Sequence, residues 1–444
     1  MLNKIELFLL HSIDIKKPEI RAAIVSFIYL FCLMASYYTM RPLRDALASE
    51  IPSENLKYLW TATFIFSTLA ALVFGYIVSK FRASYFLPWI YIFFISNILI
   101  FFYLMSTYPL GSEDSMVVPI FSSYFQLQSP VKVSTVVGCI FYVWLSVFNM
   151  FVISIFWSFL ADRYTKEQSK RLFGFIAAGG SIGAAFAPVA TAILVTHIGV
   201  DMMLIIAAIV LSVTLFCIND LLKITLDLGG SSRTHNNEKI GGYSWDGFKT
   251  IIKNPYLLLI ALFVILYTFI STIFYVAQID LVRAAFETRE ERYAVNAIVD
   301  GIVNSLAIFT QVFITSRLAK KYGLIFLTAI MPIFMIFAFF MLSLFPVLIV
   351  ILILQVFRRA GNYALTRPGR EMLWTVVNRD EKYKAKNVID TSVYRGADLV
   401  NIWIENGLRS AGFGLGQIAL VGSFVAVLWS AVAIILGKKA EKSN

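Results

Sequence analysis

The chain has 444 residues, 59% hydrophobic and 15% charged, with a formal net charge of +11 and a mean hydropathy of +0.76. A soluble domain is about 45–50% apolar and about 25% charged, so this composition excludes an ordinary soluble protein and describes a polytopic membrane protein. Cys32, Cys139 and Cys217 all lie in apolar runs, and His11, His197 and His235 are widely spaced, which argues against a disulfide framework, a metal cluster or a resident cofactor.

A spanning helix needs roughly 20 mainly apolar residues to cross about 30 Å. Twelve runs qualify, at about 21–45, 56–79, 84–107, 134–160, 171–196, 202–222, 255–286, 293–317, 324–344, 347–369, 387–409 and 417–437. If the N-terminus is cytoplasmic, 27 of the 38 Lys and Arg residues fall inside, five outside and six within spans. That bias orients both termini inward. It also accounts for the basic balance without a nucleic-acid partner. The opening MLNKIELFLLHSIDIKKPEIR has too little apolar length and no small-residue cleavage site for a cleavable signal peptide. The longest polar interval follows span six. The expected organisation is therefore an N-terminal six-helix half (1–222), a cytoplasmic linker (223–254) and a C-terminal six-helix half (255–444). This plan resembles the major facilitator fold: all-α, twelve transmembrane helices, two six-helix halves. Weak internal symmetry agrees with it. The loop Asp162–Arg171 (DRYTKEQSKR) superposes on Asn378–Asn387 (NRDEKYKAKN) at an offset of 216, with Arg163 on Arg379, Lys166 on Lys382 and Lys170 on Lys386.

Span one ends ASYYTMRPLRDALA. Arg41, Arg44 and Asp45 share a helical face at i, i+3 and i+4, and Pro42 loosens the backbone beside them. They either snorkel to the interface or face a cavity. Span four carries Asn149 near mid-span, as a ligand contact or an interhelical hydrogen bond. Span five (GFIAAGGSIGAAFAP) presents small residues suited to close helix packing. Span eight carries Asp300, Asn304 and Gln311 as a polar stripe, with Asp300 as a partner for an arginine or as a proton carrier.

Span ten supplies Gln355, Arg358, Arg359, Asn362 and Tyr363. Counted from Val347, Arg358 lies about 16 Å deep, near mid-bilayer. An ionised side chain there costs several to roughly ten kcal/mol, so such residues face a cavity or a bundle interior. Span eleven adds Asp390, Arg395 and Asp398, and an Arg358–Asp398 pair across the two spans would limit the desolvation cost. Forked guanidinium donors suit phosphate and carboxylate ligands.

The segment Leu365–Asp398 (LTRPGREMLWTVVNRDEKYKAKNVIDTSVYRGAD) resembles the hallmark segment of the ATP/ADP translocases of plastids and intracellular bacteria. Pro368, Glu371, Met372, Lys384, Lys386, Asp390 and Arg395 fit its order. Arg41 and Asp45 match that family's span-one Arg-x-x-Lys-Asp, with Arg44 at the lysine. The resemblance implies nucleotide exchange across a membrane without ATP hydrolysis.

The sequence thus leads to a secondary transporter, not an enzyme, moving a small organic or phosphorylated anion, with a nucleotide as the named candidate. The expected setting is the bacterial inner membrane, as a monomer among lipid. A proton-coupled exporter of a drug, siderophore or other metabolite is the alternative. Expected substrate residues are Arg41, Arg44, Asp45, Asn149, Asp300, Arg358, Arg359, Asn362, Arg395 and Asp398. Expected gate or hairpin residues are Asp162, Arg163, Arg370, Glu371, Lys384, Lys386 and Asp390.

Overall fold

A computed structural model describes residues 15–80, 83–108, 132–164, 166–224, 244–378, 385–386 and 388–443. The described residues form twelve long helices: α1 (Ile20–Ala48), α2 (Leu56–Lys80), α3 (Ala83–Thr107), α4 (Val133–Arg163), α5 (Lys166–Ile198), α6 (Val200–Lys223), α7 (Pro255–Ala285), α8 (Arg289–Thr310), α9 (Ser316–Leu344), α10 (Leu348–Gly361), α11 (Tyr394–Ser410) and α12 (Leu415–Ser443). A short helix, Ser244–Lys253, precedes α7. The described residues are all-helical, with no strand among them. Among the described residues, ten helices are long and apolar enough to cross a bilayer. The shorter α11 falls below that measure because it carries Arg395, Asp398, Glu405 and Arg409.

The helices gather into two units. Unit 1 takes Met1–Ile51, Ile65–Thr234 and Glu287–Gly301, and unit 2 takes Pro52–Phe64, His235–Phe286 and Ile302–Asn444. The start of α2 therefore belongs with unit 2, and the start of α8 with unit 1. Each unit has its own core. Tyr29, Leu33, Phe94, Phe141, Phe148, Phe156 and Leu211 anchor the first, which also takes in Tyr293 and Ala297 of α8. Phe263, Phe274, Met335, Phe339, Trp374 and Trp429 anchor the second.

Small residues set the closest approach in unit 1. A Cβ on Gly179 would lie 2.4 Å from the Phe27 carbonyl oxygen, and one on Gly183 would lie 2.4 Å from that of Phe31. The glycine face of α5 is thus a packing face against α1, as its spacing predicts. In α9 the backbone breaks at Gly323, whose φ is +74°, a conformation that glycine adopts without steric cost. The Glu441 carboxylate accepts from the Leu324 and Ile325 amides at 3.0 and 3.3 Å, capping the helix that restarts there.

Among the described residues of unit 2, three π turns interrupt the helices, at Gln311–Thr315, Asn362–Thr366 and Ile389–Val393. A π turn frees backbone carbonyls and often marks a functional position. The turn in α10 is braced from the end of α8. Gln311 Nε2 donates to the Tyr363 carbonyl at 2.9 Å, and Thr315 Oγ1 donates to that of Ala364 at 2.7 Å.

Candidate functional site

Each unit holds a buried polar cluster, and the two differ in charge balance. In unit 1, Arg41 Nη1 lies 3.1 Å from Asp300 Oδ1, and its Nε lies 4.0 Å from Asp45 Oδ2. Arg44 donates to Asp45 Oδ1 through Nη2 at 2.8 Å and Nε at 3.1 Å. The Arg41 guanidinium lies 5.6 Å from the Tyr38 ring centre, and that of Arg44 lies 5.2 Å from the Tyr142 ring centre. Tyr293 Oη donates to the Thr39 carbonyl at 2.8 Å, fixing α8 beside α1. Asp300 is only 1% exposed. Of the two roles open to it from sequence, the geometry supplies the partner role. In these pairs two guanidinium groups meet two carboxylates, so opposite charges compensate each other.

Asn149 stands seven residues after Tyr142 on α4, a spacing that shares a helix face. Its Oδ1 is buried and accepts no hydrogen bond among the described residues. The alternative in which Asn149 ties two helices through that oxygen therefore has no donor in this geometry.

In unit 2, Arg358 is 7% exposed. Its Nη1 donates to Ser271 Oγ at 2.5 Å and its Nε to Gln355 Oε1 at 2.8 Å. Gln355 Nε2 in turn donates to Gln278 Oε1 at 2.7 Å. The guanidinium also sits 5.8 Å from the centre of the Phe274 ring. These partners are neutral, and among the described residues no carboxylate forms an ion pair with Arg358. The cross-helix Arg358–Asp398 pair expected from sequence is absent. Asp398 instead faces Arg395 on its own helix at 4.0 Å, because Arg358 is drawn to α7 by Ser271. Arg359 is equally buried, and Asn362 opens the π turn one helical turn further on.

The hairpin residues after α10 also meet. Arg370 Nη2 lies 3.2 Å from Asp390 Oδ1, and Lys386 pairs with Glu371. Tyr256 Oη donates to the Leu373 carbonyl at 2.9 Å. In unit 1 the Arg163 guanidinium stacks over the Phe159 ring at 5.4 Å. The Asp162 side chain and Lys384 lie outside the described residues.

Sequence reading missed Ser271, Phe274, Tyr38 and Tyr142. A lone serine or aromatic inside a span carries no distinguishing signal, since serine there usually bonds back to its own helix. It also missed the buried pairing of Glu405 with Arg409, which reaches Asp280 at 2.6 Å. Arg289 is engaged by Glu50 at 2.9 Å. Among the described residues, no three His, Cys, Asp or Glu side chains gather for a metal.

A profile described as Major Facilitator Superfamily matches residues 26–366. A curated relative, ADP,ATP carrier protein 1 of Chlamydia muridarum (strain MoPn / Nigg), is 22% identical over 219 residues, which is 45% of this chain. The aligned region spans only 41% of that relative's length. Among solved structures, a bacterial homologue of the human lysosomal transporter Spinster aligns with a TM-score of 0.60 at 13% identity, covering 97% of this chain and 99% of that one. The nucleoside transporter NupG aligns with a TM-score of 0.60 at 13% identity, over 96% and 99%. A POT family transporter in complex with 5-aminolevulinic acid gives 0.62 at 12% identity, over 95% and 96%. At these identities the likeness is one of fold.

Proposed function

The chain belongs to the Major Facilitator Superfamily, and we propose that this multi-pass secondary transporter moves a small organic or phosphorylated anion, with a nucleotide as the first candidate. The observation that carries the reading is Arg358. A buried guanidinium is costly unless an opposite charge or full hydrogen bonding compensates it. Here its partners are a hydroxyl, an amide and a ring. An anionic substrate completes the charge balance that unit 2 lacks at this point. The forked donor geometry favours phosphate or carboxylate. The unit 1 cluster, already balanced by Asp45 and Asp300, acts as a polar wall. Asn149, whose buried Oδ1 accepts no hydrogen bond among the described residues, is the unit 1 candidate for a hydroxyl or amino group.

The weak relation to an ADP,ATP carrier supports a nucleotide, as does the fit of Glu371, Lys386, Asp390 and Arg395 to the translocase segment. Transport follows alternating access between the halves 1–222 and 255–444, joined through 223–254. The Arg370–Asp390 and Lys386–Glu371 pairs serve as an inner latch. The working form is a monomer in the bacterial inner membrane, with both termini cytoplasmic.

The test is uptake by proteoliposomes of labelled ATP, ADP, inorganic phosphate and dicarboxylates, with and without internal counter-substrate. Saturable uptake of one of these, stimulated by internal anion, is the expected result. Efflux driven by a pH gradient with no anion uptake would instead select the proton-coupled exporter.

A further inference from the structure

The Arg358 guanidinium is held by a chain of amides whose polarity is fixed. Gln278 of α7 and Gln355 of α10 are both buried, Gln355 to 2% exposure. Gln355 Nε2 donates to Gln278 Oε1 at 2.7 Å, so its Oε1 is the atom left to accept from Arg358 Nε at 2.8 Å. Ser271 Oγ takes Nη1 at 2.5 Å. A guanidinium has five N–H groups. These two bonds hold its plane between α7 and α10, and among the described residues they leave Nη2 without a hydrogen bond.

Gln355 stands three residues before Arg358 and four before Arg359. Both spacings bring side chains together on a helix, and an acidic residue so placed is a natural partner for an arginine. Unit 1 uses that device. Asp45 stands four residues after Arg41, at 4.0 Å, and Asp300 lies 3.1 Å from the same guanidinium. In unit 2 the corresponding place on the arginine's own helix holds a neutral amide. The amide oxygen accepts the hydrogen bond that a carboxylate would accept, and it brings no charge. Orientation and charge compensation, which Asp45 supplies together, are thus separated at Gln355.

We infer that Gln355 is a positioning residue that sets the charge selectivity of the site: its amide fixes the fork of Arg358 and leaves the guanidinium charge to be met by an anionic substrate. Gln278 holds that amide with its oxygen toward the arginine. The inference deepens the anion-transport reading and rests on it. A carboxylate at residue 355 would give Arg358 an internal ion pair, and an incoming anion would have to displace it. The difference lies in one group of the side chain, NH2 against oxygen.

The experiment is counterflow of labelled ADP, ATP, inorganic phosphate and dicarboxylates into proteoliposomes holding the natural chain, Gln355→Glu, Gln355→Met or Arg358→Gln. Both substitutions at residue 355 keep nearly the same volume and remove the donor to Gln278, but only glutamate adds charge. Gln355→Glu should lower anion uptake by about tenfold or more, with a thermal midpoint in detergent no lower than that of Gln355→Met. Gln355→Met should retain uptake, with KM raised about threefold to tenfold and kcat close to natural. If Gln355→Glu does not fold, Ser271→Asp carries the test, since it brings a carboxylate to the same guanidinium from α7 and should lose uptake likewise. Equal loss in folded Gln355→Glu and Gln355→Met would make residue 355 a packing residue and overturn the charge role. Undiminished uptake by Gln355→Glu beside an inactive Arg358→Gln would overturn this inference and leave anion transport standing. No anion uptake by the natural chain would overturn both.

Discussion

Single residues decide whether the buried charge here is structural or functional. Arg41 and Asp300 compensate each other at 3.1 Å. Removing one partner of such a buried pair leaves an uncompensated charge, a loss of about 3–5 kcal/mol, whereas removing both is far milder. Asp300→Asn should therefore lower the thermal midpoint markedly in detergent, and Arg41→Gln with Asp300→Asn should recover most of it. A double variant no better than the single would refute the pairing. Arg358 behaves oppositely, since its partners are neutral. Arg358→Gln should leave the midpoint within a few degrees of the natural chain, because it removes a desolvated charge. Arg358→Lys should not restore transport, because an ammonium lacks the planar fork. The arginines and aspartates were legible in the sequence because charge inside an apolar run is rare. Their pairing was not. Asp398 has a near neighbour in Arg395, and only the placement of Ser271 on α7 shows where Arg358 turns.

Helix contacts carry their own test. The α5 glycines sit where a side chain would strike the α1 backbone, at 2.4 Å for both Gly179 and Gly183. Overpacking of this kind typically costs about 1–3 kcal/mol. Gly183→Val should lower the folded yield and thermal midpoint. Gly174→Ala should be neutral or mildly stabilising, since a Cβ there meets nothing within 4 Å and alanine favours a helix over glycine by about 1 kcal/mol. Equal behaviour of the two variants, read by size-exclusion chromatography and thermal unfolding, would contradict the packing. Helix boundaries were largely legible from apolar run length, and the expected start at residue 324 coincides with the break at Gly323. The π turns were not legible. They depend on bracing from another helix, as Gln311 and Thr315 brace Tyr363 and Ala364, and such long-range support leaves no periodic mark.

At the scale of the molecule, twelve apolar runs separated by short basic loops were enough to give the membrane fold. They did not show that the first parts of α2 and α8 group with the units opposite to their place in the chain. That grouping follows from tertiary contacts such as Tyr293 to Thr39 and Lys57 to Asn406, at 2.8 and 2.6 Å. The proposed function rests on unit 2, where the buried Arg358 has a hydroxyl, an amide and a ring as its partners. Its most direct test is counterflow of labelled ADP, ATP, phosphate and dicarboxylates into proteoliposomes, with the natural chain and Arg358→Gln reconstituted side by side at equal density. The account predicts anion uptake that depends on internal anion in the natural chain and falls at least tenfold in Arg358→Gln, with both proteins equally folded. Undiminished uptake by Arg358→Gln, or no anion moved by the natural chain, would contradict it.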